Sequence, residues 1–299
     1  MKQKVNKSVC VVILNYQTYT DTINYVNSLK DQKGIELHIL IVDNCSPNNS
    51  YDHLSNYFDS DADVEVIKSA RNGGYAYGNN YGLRHLEKRG FEYIVISNND
   101  IEISDQYLMK KLIQEYSHLE NVAFIAPLMR TKGKVSKFSA WKLPSFIDDC
   151  IQSLRLTNYL FGRKLQYDYN LFSDQPQKVD CLSGAFFLGK YEIFTRVNFF
   201  DEGTFLYGEE IILALRLKSI GLSNFIIPKL DYHHQNSKTI SSLLTIYRTH
   251  KHLTDSRLYY HSKYFGASFV KLYFLKFLHY FWCMETFLYS LISKMILKK

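Results

Sequence analysis

Hydrophobic runs without polar alternation recur between residues 8 and 227, and they predict strands that are covered on both faces. The clearest run, Tyr93–Ile96, passes directly into the polar segment Ser97–Asp100. Comparable runs begin at Ser8, Leu37, Val64, Val122 and Ser223. Between them, apolar residues at three- and four-residue spacings predict helices. This alternation predicts an α/β fold with a mostly parallel central sheet flanked by helices.

Polar residues close three of the predicted strands. They are Asn15, Asp43 and Asp100. Because the carboxyl ends of parallel strands open onto one ligand crevice, we expect these side chains to converge there. Carboxylates and amides in such a place suit Mg or Mn and the ribose and diphosphate of a nucleotide. The alternative for each residue is a turn that uses the local hydrogen bonding of Asn or Asp.

A glycine-rich stretch follows the third predicted strand. Gly73 and Gly78 have the spacing of a phosphate loop, but Asn79 and Asn80 stand where Lys and Ser or Thr are needed, which argues against an NTPase. The loop opens a predicted helix, so its backbone N–H groups and Arg71 are candidates for contact with a diphosphate. The alternative role of the glycines is close packing of this helix on the sheet.

Two features of the C-terminal half carry candidate chemistry. Glu209 and Glu210 precede a predicted helix over residues 211–220, where one carboxylate is suited to act as a general base. Favourable interaction with the helix dipole is the alternative reason for them. His233 and His234 follow a predicted strand over residues 223–227, and the pair suggests a metal ligand or a phosphate contact.

Residues 128–178 lose clear periodicity and include Trp141. We interpret this segment as an excursion over the sheet that binds a ligand, because long loops at a crevice mouth commonly do so. The predicted strand that follows, Val179–Gly189, contains Ser183 and Gly184, which allow close approach to its backbone. We assign Ser183, Gly184 and Trp141 to the acceptor side of the crevice.

Cysteine content and charge narrow the class of protein. The five Cys are odd in number and share no CxxC or zinc-like spacing, so neither a disulfide framework nor a structural zinc is supported, and a reducing, cytoplasmic setting is expected.

Residues 238–299 hold ten Lys or Arg against two acidic residues, a balance of +8. Since the whole chain carries +7, the remainder carries about −1.

The composition changes near residue 241, which predicts one domain over residues 1–240 and a basic, aromatic-rich helical tail over residues 241–299. The longest tail stretch without Lys or Arg, Phe277–Ser293, is shorter than the ~20 apolar residues that a spanning helix needs. Aromatic helices flanked by Lys predict association with a bilayer interface that carries anionic headgroups. A helical hairpin packed on the domain, or on a second subunit in a homodimer, is the alternative.

Seven short motifs follow one another in a characteristic order: Ile13–Tyr16; Val42–Ser46; Asn72–Gly74 with Gly78–Asn80; Ser97–Asp100; Leu182–Ala185; Phe200–Glu202 with Tyr207–Glu210; and Pro228–His233. Across roughly residues 8–237, this order resembles family 2 glycosyltransferases with the Rossmann-like GT-A fold. Within the family, the chain is most similar to bacterial rhamnosyltransferase-type enzymes of capsule, O-antigen or other surface polysaccharide synthesis. The resemblance implies inverting transfer of a sugar from a nucleoside diphosphate, with dTDP-rhamnose as a candidate donor, to a growing glycan.

The resemblance also implies roles for individual residues. The donor nucleotide site would comprise Asn15, Asp43, Arg71, Asn72, Gly73 and Asn98, with Asp43 on the base. Asp100 and His233 would approach a divalent cation shared with the diphosphate, and Glu210, beside Glu209, would be the catalytic base. Three departures from the family pattern stand out: Asn98 replaces the first DxD carboxylate, Glu209-Glu210 replaces a Glu-Asp pair, and Ile212 occupies a position that is often acidic.

Other function classes compete with this interpretation. Asn98 and Ile212 suggest an inactive relative that binds sugar nucleotide or glycan without turnover. A nucleotidyltransferase would need an N-terminal glycine-rich signature, and Val11–Thr18 contains no Gly. The basic tail raises the possibility of nucleic acid, but its apolar density favours lipid. We therefore expect a glycan or polyprenyl-diphosphate-linked acceptor, no nucleic acid, and a location at the cytoplasmic face of the membrane.

Overall fold

The computed structural model describes residues 8–162, 165–235 and 243–296, and the chain divides into two compact units. Within the described residues, the first unit comprises 8–142, 166–202 and 209–235, and the second comprises the rest. The predicted boundary between residues 240 and 241 lies outside the described residues. The second unit also includes 143–162 and 203–208, which the sequence pattern did not associate with the tail.

The first unit alternates strands and helices as predicted. Its described strands are β1 (Ser8–Asn15), β2 (Glu36–Asp43), β3 (Val64–Lys68), β4 (Tyr93–Ser97), β5 (Ile101–Glu102), β6 (Val122–Thr131), β7 (Lys134–Val135), β8 (Ala140–Trp141), β9 (Gln177–Val179), β10 (Cys181–Leu182), β11 (Phe186–Lys190) and β12 (Ser223–His234). Its described helices are α1 (Tyr19–Leu29), α2 (Ser50–Phe58), α3 (Gly74–His85), α4 (Leu108–Tyr116), α7 (Tyr191–Arg196) and α8 (Glu209–Ser219). Two further helices, α5 (Phe146–Gln152) and α6 (Arg155–Phe161), lie in the second unit.

The central sheet has the order β3-β2-β1-β4-β11-β6-β12-β5, with β7 beside β6 and β9 beside β12. Strands β1 to β4 pair in parallel, as predicted, and so do β6 and β12. Strand β11 is antiparallel to both of its neighbours, so the sheet is mixed. The predicted α/β class is confirmed. The parallel pattern breaks at β11, because the chain reaches this strand directly after β10 and not through a crossover helix.

Both faces of the sheet are covered. Val9, Val11 and Ile13 belong to one hydrophobic cluster, whereas Cys10 and Val12 belong to a second, and all five are fully buried. Successive residues of a strand point to opposite faces, so this alternation places one cluster on each side. The continuous apolar runs in the sequence follow from this double coverage.

Two predicted strands differ from those observed. The stretch Val179–Gly189 contains three elements, β9, β10 and β11, with Ser183–Ala185 outside the strands. Strand β12 continues to His234, beyond the predicted end at residue 227, through a register irregularity between Ile227 and Asp231. Both histidines therefore lie within a strand that is paired on both sides.

The second unit is helical, with α5 (Phe146–Gln152), α6 (Arg155–Phe161), α9 (Leu243–Phe265) and α10 (Phe269–Ile296). Helices α9 and α10 form an antiparallel hairpin. The Tyr247 hydroxyl donates to the Cys283 carbonyl, and one turn further along α9 His250 Nδ1 lies 2.7 Å from His279 Nδ1. Among the described residues, none of the helices combines the length with the hydropathy that a membrane span requires.

Candidate active site

The ends of β1 and β2 carry a buried polar pair. Asn15 and Asp43 are partners in the strand register, and Asn15 Nδ2 donates to Asp43 Oδ2 at 2.8 Å. Asp43 Oδ1 accepts from Ser46 N–H at 2.9 Å, and the Asp43 side chain is fully buried. The Asp43 carboxylate thus orders the loop after β2. This is the local turn-forming role that was the alternative to ligand contact. Its contact with a nucleotide base stays a prediction.

A hydrogen-bonded relay connects this pair to the end of β4. Asn15 Oδ1 accepts from the Thr22 hydroxyl at 2.8 Å, and that hydroxyl accepts from Asn99 Nδ2 at 2.8 Å. Asn99 directly precedes Asp100, so the strand ends that the sequence predicted to converge are joined through side chains. Thr22 was not predicted, since a Thr near the start of a helix gives no signal of such a link.

The glycine-rich loop is tied to the same edge. Asn72 Oδ1 accepts from Asn44 Nδ2 and from Gly74 N–H, each at 3.1 Å. The exposed Arg71 guanidinium lies 5.0 Å from the centre of the Tyr77 ring. A Cβ on Gly73 would lie 2.4 Å from Tyr77, so only glycine allows this ring to lie against the loop.

Close packing explains other glycines of α3. A Cβ on Gly78 would come within 2.3 Å of Leu14, and one on Gly82 within 2.8 Å of Val42 and 2.9 Å of Val12. Helix α3 therefore approaches β1 and β2 more closely than any larger residue permits. For these two glycines the packing alternative is confirmed.

Asp100 has a histidine neighbour. His234 Nε2 lies 3.3 Å from Asp100 Oδ1, and about one sixth of each side chain is exposed, 17% and 18% respectively. In the register of β12 with β5, His234 is opposite Ile101 and His233 is opposite Glu102. Neighbouring residues of a strand point to opposite faces, so the imidazole beside Asp100 is that of His234. The approach of His233 to a cation or diphosphate stays a prediction.

The Asp100 and His234 pair supplies one carboxylate and one imidazole, a donor set that suits Mn and related divalent ions. Among the described residues, no three His, Cys, Asp or Glu side chains are grouped to hold a metal by themselves. A cation at this pair would therefore take its remaining ligands from other sources, such as diphosphate oxygens or water. Asn98, two residues before Asp100, offers an amide where the family resemblance implies the first carboxylate of a DxD motif.

Glu210 lies against Gly184 and Tyr75. The Tyr75 hydroxyl donates to the Gly184 carbonyl at 2.6 Å. A Cβ on Gly184 would lie 2.8 Å from Tyr75 Oη and 3.0 Å from Glu210 Oε1. Burial, followed by the negative charges of Glu210 and Glu209, raises the pKa of Tyr75 well above its ordinary value. Tyr75 therefore stays protonated and holds the Gly184 carbonyl; sequence reasoning missed it.

The sheet brings this group to the edge that carries Asp100. Asn98 N–H donates to Ala185 O at 2.8 Å, so the residue after Gly184 is bonded to the polar segment that follows β4. Burial raises the pKa of Tyr232, the nearby Ser183 side chain lowers it, and the charge of Asp100 raises it by a smaller amount. Glu210, Gly184, Asn98 and Asp100 thus belong to one edge of the first unit.

The remaining predicted residues flank this edge. Glu209 is buried in the first turn of α8, and Ile212 is fully buried in the same helix. The core position of Ile212 gives a packing reason for its apolar side chain. Trp141 is opposite Cys181 in the small β8–β10 sheet, and Ser183 N–H donates to Ser139 O at 3.1 Å. The pairing of these two segments brings Trp141 near Ser183 and Gly184, the other residues assigned to the acceptor.

Curated proteins with similar sequences act on sugars. The chain is 27% identical over 178 residues to rhamnosyltransferase WbbL of Escherichia coli (strain K12), a match that covers 56% of this chain and 64% of that protein. It is 24% identical over 219 residues to the low-salt glycan biosynthesis hexosyltransferase Agl10 of Haloferax volcanii, covering 73% and 64%. The dTDP-rhamnosyl transferase RfbF of Shigella flexneri is 21% identical over 231 residues, covering 77% and 70%. The chain thus spans less than two thirds of the first two relatives.

Solved structures share the fold at low sequence identity. A crystal structure of GalNAc-T7 with UDP, GalNAc and Mn2+ matches 97% of this chain and 58% of that chain, with a TM-score of 0.62 and 14% identity. The mannosyltransferase PcManGT of Pyrobaculum calidifontis, in complex with GDP-Man and Mn2+, matches 91% and 69%, with a TM-score of 0.59 and 14% identity. These likenesses support the GT-A-like architecture of the sheet.

A family model described as glycosyl transferase family 2 matches residues 8–197, which is more than half of the chain. The matched range includes the ends of β1, β2 and β4 and the segment Ser183–Ala185. It ends before Glu209, Glu210 and the two histidines of β12, so their roles rest on the geometry and stay proposals. With this match, the mixed sheet and the polar edge that it carries, the chain belongs to glycosyl transferase family 2.

Proposed function

We propose that the protein is an inverting glycosyltransferase that moves a sugar from a nucleoside-diphosphate sugar to an acceptor hydroxyl. Family membership and the named relatives support the reaction class. The observation that carries the proposal is the Glu210 carboxylate beside Gly184, on the edge that also carries Asn98 and Asp100.

Glu210 acts as the general base in this proposal. Its carboxylate takes the proton of the acceptor hydroxyl while the hydroxyl oxygen bonds to the anomeric carbon. The bond between that carbon and the diphosphate breaks, and its electron pair leaves with the phosphate oxygen. Attack from the face opposite the leaving group inverts the anomeric configuration. Tyr75 positions the Gly184 backbone, against which the Glu210 carboxylate rests.

The leaving diphosphate gains negative charge, which the site must stabilise where it develops. Asp100 and His234 would hold a divalent cation that neutralises part of this charge, and the structural neighbours with Mn2+ support that assignment. Arg71 and the N–H groups at the start of α3 are placed to contribute on the loop side. Asp43, Asn15 and Asn72 order the loops around the nucleotide.

The relatives suggest the substrates. Two of them are named rhamnosyltransferases, one for a dTDP-linked donor, so dTDP-rhamnose is the first donor to test. The acceptor is proposed to be a hydroxyl of a growing, lipid-linked bacterial surface glycan, such as a capsule or O-antigen, at the cytoplasmic face of the membrane. The exposed aromatic face of α10 supports this placement, and a homodimer through the same face is the competing arrangement.

A donor screen tests the proposal. The chain is heated with UDP-, GDP- and dTDP-sugars, each with Mn or Mg, and thermal shifts are followed by measurement of nucleoside diphosphate release. We expect one donor class to raise the melting temperature and to be turned over slowly in water. No shift with any sugar nucleotide would contradict the proposal. A shift without hydrolysis or transfer would instead favour the inactive sugar-nucleotide binder that Asn98 suggests.

A further inference from the structure

A cavity lies at the turn of the helical hairpin in the second unit. Its volume is about 330 Å³, at the lower end of the range for ligand pockets. The apolar part of its lining includes Phe146 and Phe265, and the polar part includes His261 and Lys271. The cavity suits a small polar headgroup attached to an apolar chain.

The charge of this cavity is positive. Asp149, behind His261, is neutralised within the protein, because its carboxylate is paired with Arg257 at 3.0 Å and with His261 at 2.7 Å. Among the described residues that line the cavity there is no Asp or Glu. In the part of the chain that the structure describes, no carboxylate is within ion-pair distance of Lys271, whose ammonium lies 5.8 Å from the centre of the Phe146 ring.

The walls of the cavity are held in place. His261 is 2% exposed and is fixed by Asp149, which is itself 2% exposed. The Phe146 ring packs edge-on against His261, with 5.1 Å between ring centroids. A cation at the edge of such a rigid, aromatic-walled cavity is suited to an anionic group such as a phosphate.

An exposed apolar surface begins beside the cavity. Phe269 and Val270, which precede Lys271 at the start of α10, are 78% and 75% exposed, and Tyr273 is 63% exposed. Further along the helix the same surface continues through Phe277, Tyr280, Phe281, Met284, Phe287 and Leu288. Soluble proteins rarely leave so many large apolar side chains in water, whereas a bilayer interface accepts them.

From these observations we infer that the cavity is a subsite for the phosphate group of a membrane lipid. The phosphate pairs with Lys271 at the cavity mouth, and the lipid chain runs along the exposed surface of α10. The excess of ten basic over two acidic residues in 238–299 complements an anionic bilayer. The inference deepens the proposed membrane placement and rests on it.

Vesicle binding tests the inference with a matched pair of lysines. Lys271 lines the cavity, whereas Lys276 is another exposed lysine on α10 that does not line it. The full chain, Lys271→Gln and Lys276→Gln are sedimented with phosphatidylcholine vesicles that contain phosphatidylglycerol or a polyprenyl phosphate. Loss of one lysine from general attraction to the surface costs about fivefold in affinity. We expect at least a tenfold loss for Lys271→Gln and at most fivefold for Lys276→Gln, and the lipid that shows the larger contrast identifies the occupant.

A second variant fills the cavity without changing its charge. Ala267→Leu places a larger side chain in the lining, and we expect it to weaken vesicle binding as strongly as Lys271→Gln. Equal losses for the two lysine variants, or unchanged binding by a folded Ala267→Leu, would overturn the subsite. A melting temperature of the full chain that rises with millimolar inorganic phosphate, without any binding to vesicles, would overturn the lipid assignment. Thermal shift with sugar nucleotide is measured on every variant, and it reports separately on the proposed transferase function.

Discussion

Gly184→Ala is the substitution that probes the proposed base most finely. The added Cβ would lie 2.8 Å from Tyr75 Oη and 3.0 Å from Glu210 Oε1. The first distance is too short for any real contact, and the second requires the carboxylate to move by a few tenths of an ångström. The change thus displaces Glu210 without altering its chemistry.

Two magnitudes follow from this geometry. Overpacking of this kind costs about 1–3 kcal/mol of unfolding free energy. Since a misplacement of about 1 Å can cost on the order of 100-fold in rate, a shift of a few tenths of an ångström should lower kcat by roughly tenfold or more. We expect both effects in Gly184→Ala, measured by urea unfolding and by the rate of sugar transfer.

Gly82→Ala is the matched control. Its Cβ would lie 2.8 Å from Val42 and 2.9 Å from Val12, so it should lose stability as well, but neither valine lines the small cavity that Glu210 lines. Its kcat should stay near that of the unchanged chain. Full activity in Gly184→Ala would refute the placement of the base.

Three further outcomes are expected. Gly82→Ala should lower the unfolding free energy by about 1–3 kcal/mol in urea, because its Cβ meets Val42 and Val12 at under 3 Å; unchanged stability would mean that α3 does not pack so closely. Burial lowers the pKa of His250 to about 3, whereas an unfolded His titrates near 6.5, so the unfolded state binds more protons between these values. Stability present above pH 6.5 should therefore fall as pH drops toward 3, and His250→Gln should flatten this dependence of the urea midpoint. His234→Ala should weaken activation by Mn more than His233→Ala, and the reverse order in a Mn titration would restore the sequence-based choice.

Most of the sheet could be predicted from the sequence because its strands are buried on both faces. An apolar run such as Val9–Ile13 has few other structures available to it, and a polar residue at its end marks the ligand edge. The convergence of Asn15, Asp43 and the segment before Asp100 followed from parallel pairing alone. The direction of β11 did not, because it depends on pairing between residues about 90 positions apart, Phe186 with Ser97.

The choice between His233 and His234 shows where sequence reasoning stops. A one-residue change in register turns every later side chain of a strand to the other face. Strand β12 has such an irregularity between Ile227 and Asp231, and nothing in the local sequence fixes its size. Similarly, the aperiodic segment 143–162 gives no sign that it belongs with the hairpin, since Asp149 finds Arg257 and His261 only through tertiary packing.

The most direct measurement is the rate of sugar transfer by Glu210→Gln alongside its affinity for the sugar nucleotide. The substitution keeps the size of the side chain and removes the basic oxygen. Glu202→Gln, outside the proposed site and bonded to Asn80 and Arg84, serves as the control. We predict that transfer falls at least 100-fold in Glu210→Gln while donor affinity stays within about threefold. Transfer by Glu210→Gln at the rate of the control would contradict the account.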